Sequence, residues 1–144
     1  MNLRYNCKHQ KLAEGVWAKE PIIPITLIGK NNQRFNFTGI LDSGSDFVLI
    51  PKEIADALEI GYDDGIEITS KTFEGKEFKT KLSEVSIEIK KGREKIAVRC
   101  RIAINMGGPD YHHIIIGSSF FEHFKISFDY PHNKFQIKST PKKL

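Results

Sequence analysis

Asp42 stands in the segment Ile40-Leu41-Asp42-Ser43-Gly44-Ser45-Asp46-Phe47-Val48-Leu49-Ile50, a carboxylate on a glycine-containing turn between two apolar stretches. Flanks of that kind read as buried strands, which would carry the carboxylate close to the core. A lone ionised carboxylate is costly to bury, so it must gain hydrogen-bond donors, a charge partner or a proton. Gly44 lets the backbone turn sharply and bring its N–H towards Asp42. Ser43 and Ser45 add hydroxyls able to hydrogen-bond locally. A carboxyl group held in this way is suited to proton transfer. Taken alone, Asp-Ser-Gly also fits an Asx-turn in which Asp42 satisfies its own backbone. The apolar flanks favour the chemical reading, because a turn of that composition is usually solvated.

Other residues that could do chemistry form weaker patterns. His112, His113 and His123 lack a further ligand at a metal-binding spacing, and adjacent strand residues point to opposite faces. No metal and no cofactor is therefore expected. The sequence has no nucleophile elbow and no phosphate-binding glycine loop. Asn36-Phe37-Thr38 fits a glycosylation pattern that matters only in a secreted chain. Phe120, Phe121 and Phe124 read as core, and the Lys and Arg residues between Lys95 and Arg101 as a solvated face.

The elements that must position Asp42 are mostly strands. Ile22 to Ile28 is an apolar, β-branched run, Gly29 to Asn32 a turn, and Arg34 to Leu41 the returning strand. Phe47 to Ile50 suits a short buried strand. Pro51 opens a helix to about Leu58, proline being well placed in a first turn. Tyr62 to Phe73 and Phe78 to Ile89 read as strands joined by a turn at Glu74-Gly75. Lys90 to Arg93 turns into the clearest alternation in the chain, with Ile96, Val98, Cys100, Ile102 and Ile104 on one face. Gly107 to Asp110 is a loop, and Ile114 to Ile116 a buried strand ending at Gly117. Ser119 and Glu122 have the spacing of a capping box, which predicts a short helix through Phe124. Lys125 to Tyr130 and Lys134 to Lys138 form a last hairpin around Pro131-His132-Asn133.

Two of these segments together resemble the retropepsin-like aspartic peptidases. Asp42-Ser43-Gly44 is similar to the family's Asp-Thr/Ser-Gly signature, with apolar residues before and after. Ile115-Ile116-Gly117 is similar to its second motif, two apolar residues and a glycine that cross behind the catalytic turn and lead into a helix. The order of elements matches over roughly Ile22 to Lys138. The resemblance implies a closed, barrel-like, mostly β fold with a flap hairpin and one or two short helices. The chain is expected to form a single domain, 1–144, with a core at about 22–138, an N-terminal extension at 1–21 and a frayed tail at 139–144.

The family mechanism needs two aspartates facing one water, and this chain has one matching motif. Asp129 lies in Phe128-Asp129-Tyr130-Pro131 without the glycine. The resemblance therefore implies a homodimer in which Asp42 of each identical subunit joins a two-carboxylate site that hydrolyses peptide or unfolded-protein substrates. It further implies that Ser43 hydrogen-bonds across the dimer, that Gly44 orients the carboxylate and that Ser45 supports it. Asp46 corresponds to a residue that grips the substrate main chain. Retroviral members often carry Arg after the downstream glycine, where this chain has Ser118. The flap is expected near Ser70 to Lys76, with Phe73, Glu74 and Gly75 at the substrate. The alternative is a non-catalytic dimerisation or peptide-binding module on the same fold.

Composition sets the outer bounds. The chain has 144 residues, 40% of them hydrophobic and 28% charged, which suits one globular domain. No apolar run approaches the roughly 18 residues of a membrane span. A net charge of +4 does not by itself point to nucleic acid. Met1 to Lys8 lacks the apolar stretch of a signal peptide. The expectation is a cytoplasmic protein whose Cys7 and Cys100 stay unpaired, with Cys100 as a small core residue.

Overall fold

The structure, a computed structural model, describes residues 1–72, 74–111 and 113–139. Its strands in chain order are β1 (Asn2–Asn6), β2 (Lys8–Ala13), β3 (Val16–Glu20), β4 (Ile22–Ile28), β5 (Arg34–Leu41) and β6 (Val48–Pro51), then helix α1 (Lys52–Ala57). There follow β7 (Glu67–Lys71), β8 (Glu77–Lys91), β9 (Glu94–Asn105), β10 (Ile114–Ile116), helix α2 (Ser118–Phe121), β11 (Phe124–Asp129) and β12 (Lys134–Ser139). A single 3-10 turn, Tyr130–His132, joins the last two strands.

The main sheet runs in the order β4-β5-β10-β6-β9-β8-β7, and β4 also pairs with β8. That extra pairing closes the strands into a ring, with β7 added outside β8. Inward-pointing residues alternate along each strand as the pleat requires. Ile23, Ile25 and Leu27 of β4 are buried, as are Val85, Ile87 and Ile89 of β8. The clear alternation of β9 holds, with Arg99 and Arg101 exposed and Cys100, Ile102 and Ile104 buried. It stops at Ala103, which is also buried, in the stretch where β9 has β6 on one edge and β8 on the other. Burial pushes the Cys100 thiol up to about 12, with Glu122 adding a smaller push. Each fully buried isoleucine of this core stabilises the fold by about 1.5–3 kcal/mol.

Several elements differ from the sequence reading. The strand expected over Tyr62 to Phe73 is confined to Glu67–Lys71. Upstream of it the Gly65 N–H closes a turn on Tyr62 O at 2.9 Å, and the Tyr62 hydroxyl donates to Asp56 Oδ1 at 2.6 Å, tying this segment to α1 instead of to a neighbouring strand. The capping box does not form. Gly117 is the N-cap residue and Ser119 lies inside a helix of four residues. The Ser119 hydroxyl instead donates to Arg101 O at 2.7 Å and accepts the Val48 N–H at 3.2 Å. The helix stops at Phe121, and Phe124 opens β11.

The first 21 residues divide in two. β1 pairs antiparallel with β12 in a three-stranded sheet with β11, and Leu3, Tyr5 and Cys7 are buried in the core. β2 and β3 form a separate two-stranded hairpin whose residues are almost all exposed. At the other end, Ser139 belongs to β12, and the rest of the expected frayed tail lies outside the described residues. Both cysteines are free and buried. Among the described residues no helix is long and apolar enough to cross a membrane.

Candidate active site

β10 sits between β5 and β6, parallel to the first and antiparallel to the second. One short strand therefore holds both ends of the loop that links β5 to β6, and that loop carries Asp42. Ile116 pairs with Leu41 and its carbonyl accepts the Asp42 N–H at 2.9 Å. The Leu41 N–H donates to Pro21 O at 3.0 Å.

The turn has the geometry that its glycine allows. Gly44 N–H donates to Asp42 Oδ1 at 2.9 Å, and the Ser45 N–H donates to Asp42 O at 3.2 Å. A Cβ on Gly44 would lie 3.1 Å from the same carboxylate oxygen, so its absence gives the side chain room. The carboxylate of the single chain is exposed, not drawn into the core as its apolar flanks suggest, although Leu41 and Val48 on either side are buried. The Ser43 side chain is exposed, and its hydroxyl has no hydrogen-bond partner among the described residues. Ser45 does not turn towards the carboxylate: its hydroxyl donates to Phe47 O at 2.8 Å and stiffens the far side of the loop.

Ile115-Ile116-Gly117 passes directly behind this loop. Ile116 is fully buried, while Ile115 is half-buried and lines the cleft in front. A Cβ on Gly117 would come 2.4 Å from both Ser45 O and Phe47 O, which only glycine avoids. The crossing is fastened by Ser118 N–H to Ser45 O at 2.8 Å, by the Ser118 hydroxyl to the same oxygen at 3.2 Å, and by Ser119 N–H to Asp46 O at 3.0 Å. Ser118 thus anchors the backbone beside Asp46, and the Asp46 carboxylate has no partner among the described residues.

A cleft of about 730 Å³ opens over the turn. Asp42, Gly44, Ser45 and Asp46 line one wall, and Ile68 to Thr72 with Phe78, from the hairpin of β7 and β8, line the other. The hairpin tip is fixed by Thr72 N–H to Lys76 O at 2.8 Å and Gly75 N–H to Thr72 O at 2.9 Å. Gly75 has φ +84°, a conformation glycine adopts without strain. Glu74 and Gly75 stand at this tip, away from the cleft wall, and Phe73 lies outside the described residues. The wall-lining residues Leu49, Phe78 and Tyr111 carried no sequence signal for a site. Strand register and loop packing bring them there, with Gly108 pressed against the Phe78 ring.

Asp129, the other aspartate weighed from the sequence, accepts from or pairs with His132 Nδ1 at 2.9 Å at the end of β11 and does not line the cleft. His113 Nδ1 lies 2.7 Å from Thr38 Oγ1, and His112 is outside the described residues. Among the described residues no three potential ligands gather into a metal site.

No protein-family model matches the chain, and no curated protein matches its sequence. Solved structures do. A retropepsin-like aspartic protease from Rickettsia conorii aligns over 95% of this chain and 91% of its own, at 16% identity and a TM-score of 0.57. EIAV protease complexed with the inhibitor HBY-793 aligns over 72% of this chain and 86% of its own, at 18% identity and a TM-score of 0.40. The fold is retropepsin-like.

Proposed function

We propose that the chain is an aspartic endopeptidase that acts as a homodimer, each subunit contributing one Asp42. The observation that carries this reading is the Asp42 carboxylate, held by the Gly44 N–H on a loop braced from behind, on the wall of a cleft that faces the β7–β8 hairpin. A single carboxylate cannot be both acid and base for the same water. A second copy across a two-fold axis supplies the other, and the exposed Asp42 and Ser43 are free to face it. Two carboxylates so close do not both ionise readily, so the pair holds one proton between them. The ionised member takes a proton from the water as it attacks the scissile carbonyl, and the protonated member polarises that carbonyl. No covalent intermediate forms. Ser43 bonds across the axis beneath the pair, and the β7–β8 hairpin covers the peptide.

The test is cleavage of an unstructured protein across acidic to neutral pH by wild type and Asp42→Asn. The amide is nearly isosteric and keeps the Gly44 contact, but it can neither accept the water's proton nor share one. Wild type is expected to give a bell-shaped profile with an acidic optimum, whose two limbs belong to the pair. Asp42→Asn is expected to lose cleavage with fold and dimer intact. A variant that still cleaves removes Asp42 from the chemistry. A wild type that dimerises and binds peptide without cleaving it identifies a non-catalytic binding module.

A further inference from the structure

We infer that Asp46 selects substrates bearing a basic side chain, Lys or Arg, beside the bond presented to Asp42; this rests on reading the Asp42 cleft as the substrate site. Asp46 lines the same wall of the cleft as Asp42 and is exposed. Its backbone is fixed on both sides, with its own carbonyl bound by Ser119 N–H at 3.0 Å and the preceding carbonyl bound twice by Ser118. Its carboxylate, in contrast, is unpaired among the described residues. The residues that cross next to it, Ser118 and Ser119, are neutral, and both hydroxyls already donate to main-chain carbonyls.

The only cationic side chain among the described residues lining the cleft is Lys71, on the opposite wall, and it faces Glu77 at 4.0 Å. A positioned carboxylate with its acceptor sites unused fits a basic group: a lysine ammonium as a point charge, or an arginine fork through two parallel hydrogen bonds. Phe47 and Leu49, half-buried on the same wall, offer an apolar track for the aliphatic stem of either side chain. The chain as a whole carries a net charge of +4, so its overall field repels cationic peptides. Selection by Asp46 is therefore local and acts at a defined substrate position. In a two-fold assembly it appears once on each side of the scissile bond.

The experiment is a position scan with an otherwise neutral, unstructured peptide carrying arginine, or its near-isosteric neutral analogue citrulline, at successive positions. Cleavage is followed as kcat/KM with wild type and Asp46→Lys, and binding by fluorescence anisotropy on Asp42→Asn. The expected result is a preference of about tenfold for arginine over citrulline, confined to one position on each side. In Asp46→Lys the preference at those positions is expected to turn to glutamate over glutamine. A preference spread evenly along the peptide, one that survives in Asp46→Lys, or equal cleavage of the two peptides by wild type overturns the Asp46 site and leaves the peptidase reading intact. Selective binding of the arginine peptide without cleavage by wild type leaves the Asp46 site intact and removes the peptidase reading. Binding of neither peptide overturns both.

Discussion

Gly117 is the residue on which the loop geometry turns. Replacing it with alanine would place a methyl group 2.4 Å from two carbonyl oxygens that carry the Asp42 loop. Neither carbonyl can yield freely, since Ser45 O is held by Ser118 and Phe47 O by the Ser45 hydroxyl. Gly117→Ala is expected to destabilise the fold by about 1–3 kcal/mol, the range for overpacking. On the proposed function it should also lower peptidase activity more than its stability loss explains, because the displaced atoms belong to the loop that carries Asp42. Urea unfolding, with kcat measured well below the unfolding midpoint, checks both parts. The Gly44 N–H turned towards Asp42 is legible from the residue types, and the Gly117 crossing is what the family resemblance implies; both rest on short-range backbone geometry. Ser45 hydrogen-bonds locally, as its type predicts, but to the Phe47 carbonyl two residues on and not to the Asp42 carboxylate. The spacing of Ser119 and Glu122 predicts a capping box, whereas in the fold the Ser119 hydroxyl is taken by tertiary bonds to Arg101 O of β9 and from the Val48 N–H of β6.

Among the elements, the pairing of β4 with β8 decides whether the ring closes. Arg34 at the start of β5 donates to Glu88 Oε2 of β8 at 2.6 Å, beside the register at which Glu88 faces Thr26 of β4. This hydrogen bond is the main cause that holds the Glu88 carboxyl below its usual value of 4.5, helped by the charges of Arg34, Lys95 and Lys90 and opposed by burial. A carboxyl whose pKa is lowered by folding stabilises the native state above its ordinary value, and the contribution is lost as pH falls through the folded value. The stability difference between wild type and Arg34→Ala is therefore expected to be full near about pH 7 and to shrink steadily below about pH 4.5. Urea midpoints of the two proteins across that window measure it, and a constant gap would remove Glu88 as the cause. Most strands are readable from alternation and a closed fold follows from the family resemblance, but the particular pairing of β4 with β8 is not legible, because it joins segments more than fifty residues apart in sequence. The Tyr62 segment has strand propensity, and the hydrogen bond to Asp56 in α1 overrides it.

For the whole molecule the decisive quantity is assembly. The Ser43 hydroxyl has no partner within the chain as described, which leaves it available to a second subunit. Ser43→Ala is expected to weaken the proposed dimer by about 0.5–1.5 kcal/mol per copy while leaving the unfolding of the monomer nearly unchanged. Sedimentation over a dilution series reads the first effect and chemical denaturation of dilute protein the second; an unaltered dissociation constant would remove Ser43 from the axis. The family resemblance makes the ring foreseeable, but β1 is not legible, because its alternation covers five residues and gains meaning only from β12. The hairpin of β2 and β3 that follows carries a consequence for anyone who handles this protein in solution. Trp17, the sole tryptophan, stands on it at 60% exposure, in a two-stranded ribbon that no other described strand joins and that Lys19 tethers to Tyr130 O at 2.7 Å. Such a ribbon opens more readily than a closed core. Its intrinsic fluorescence thus watches a single appendage: heated, the emission should change before the far-ultraviolet circular dichroism does, and the gap between the two curves will measure the fraying of one arm while the core still melts in a single step.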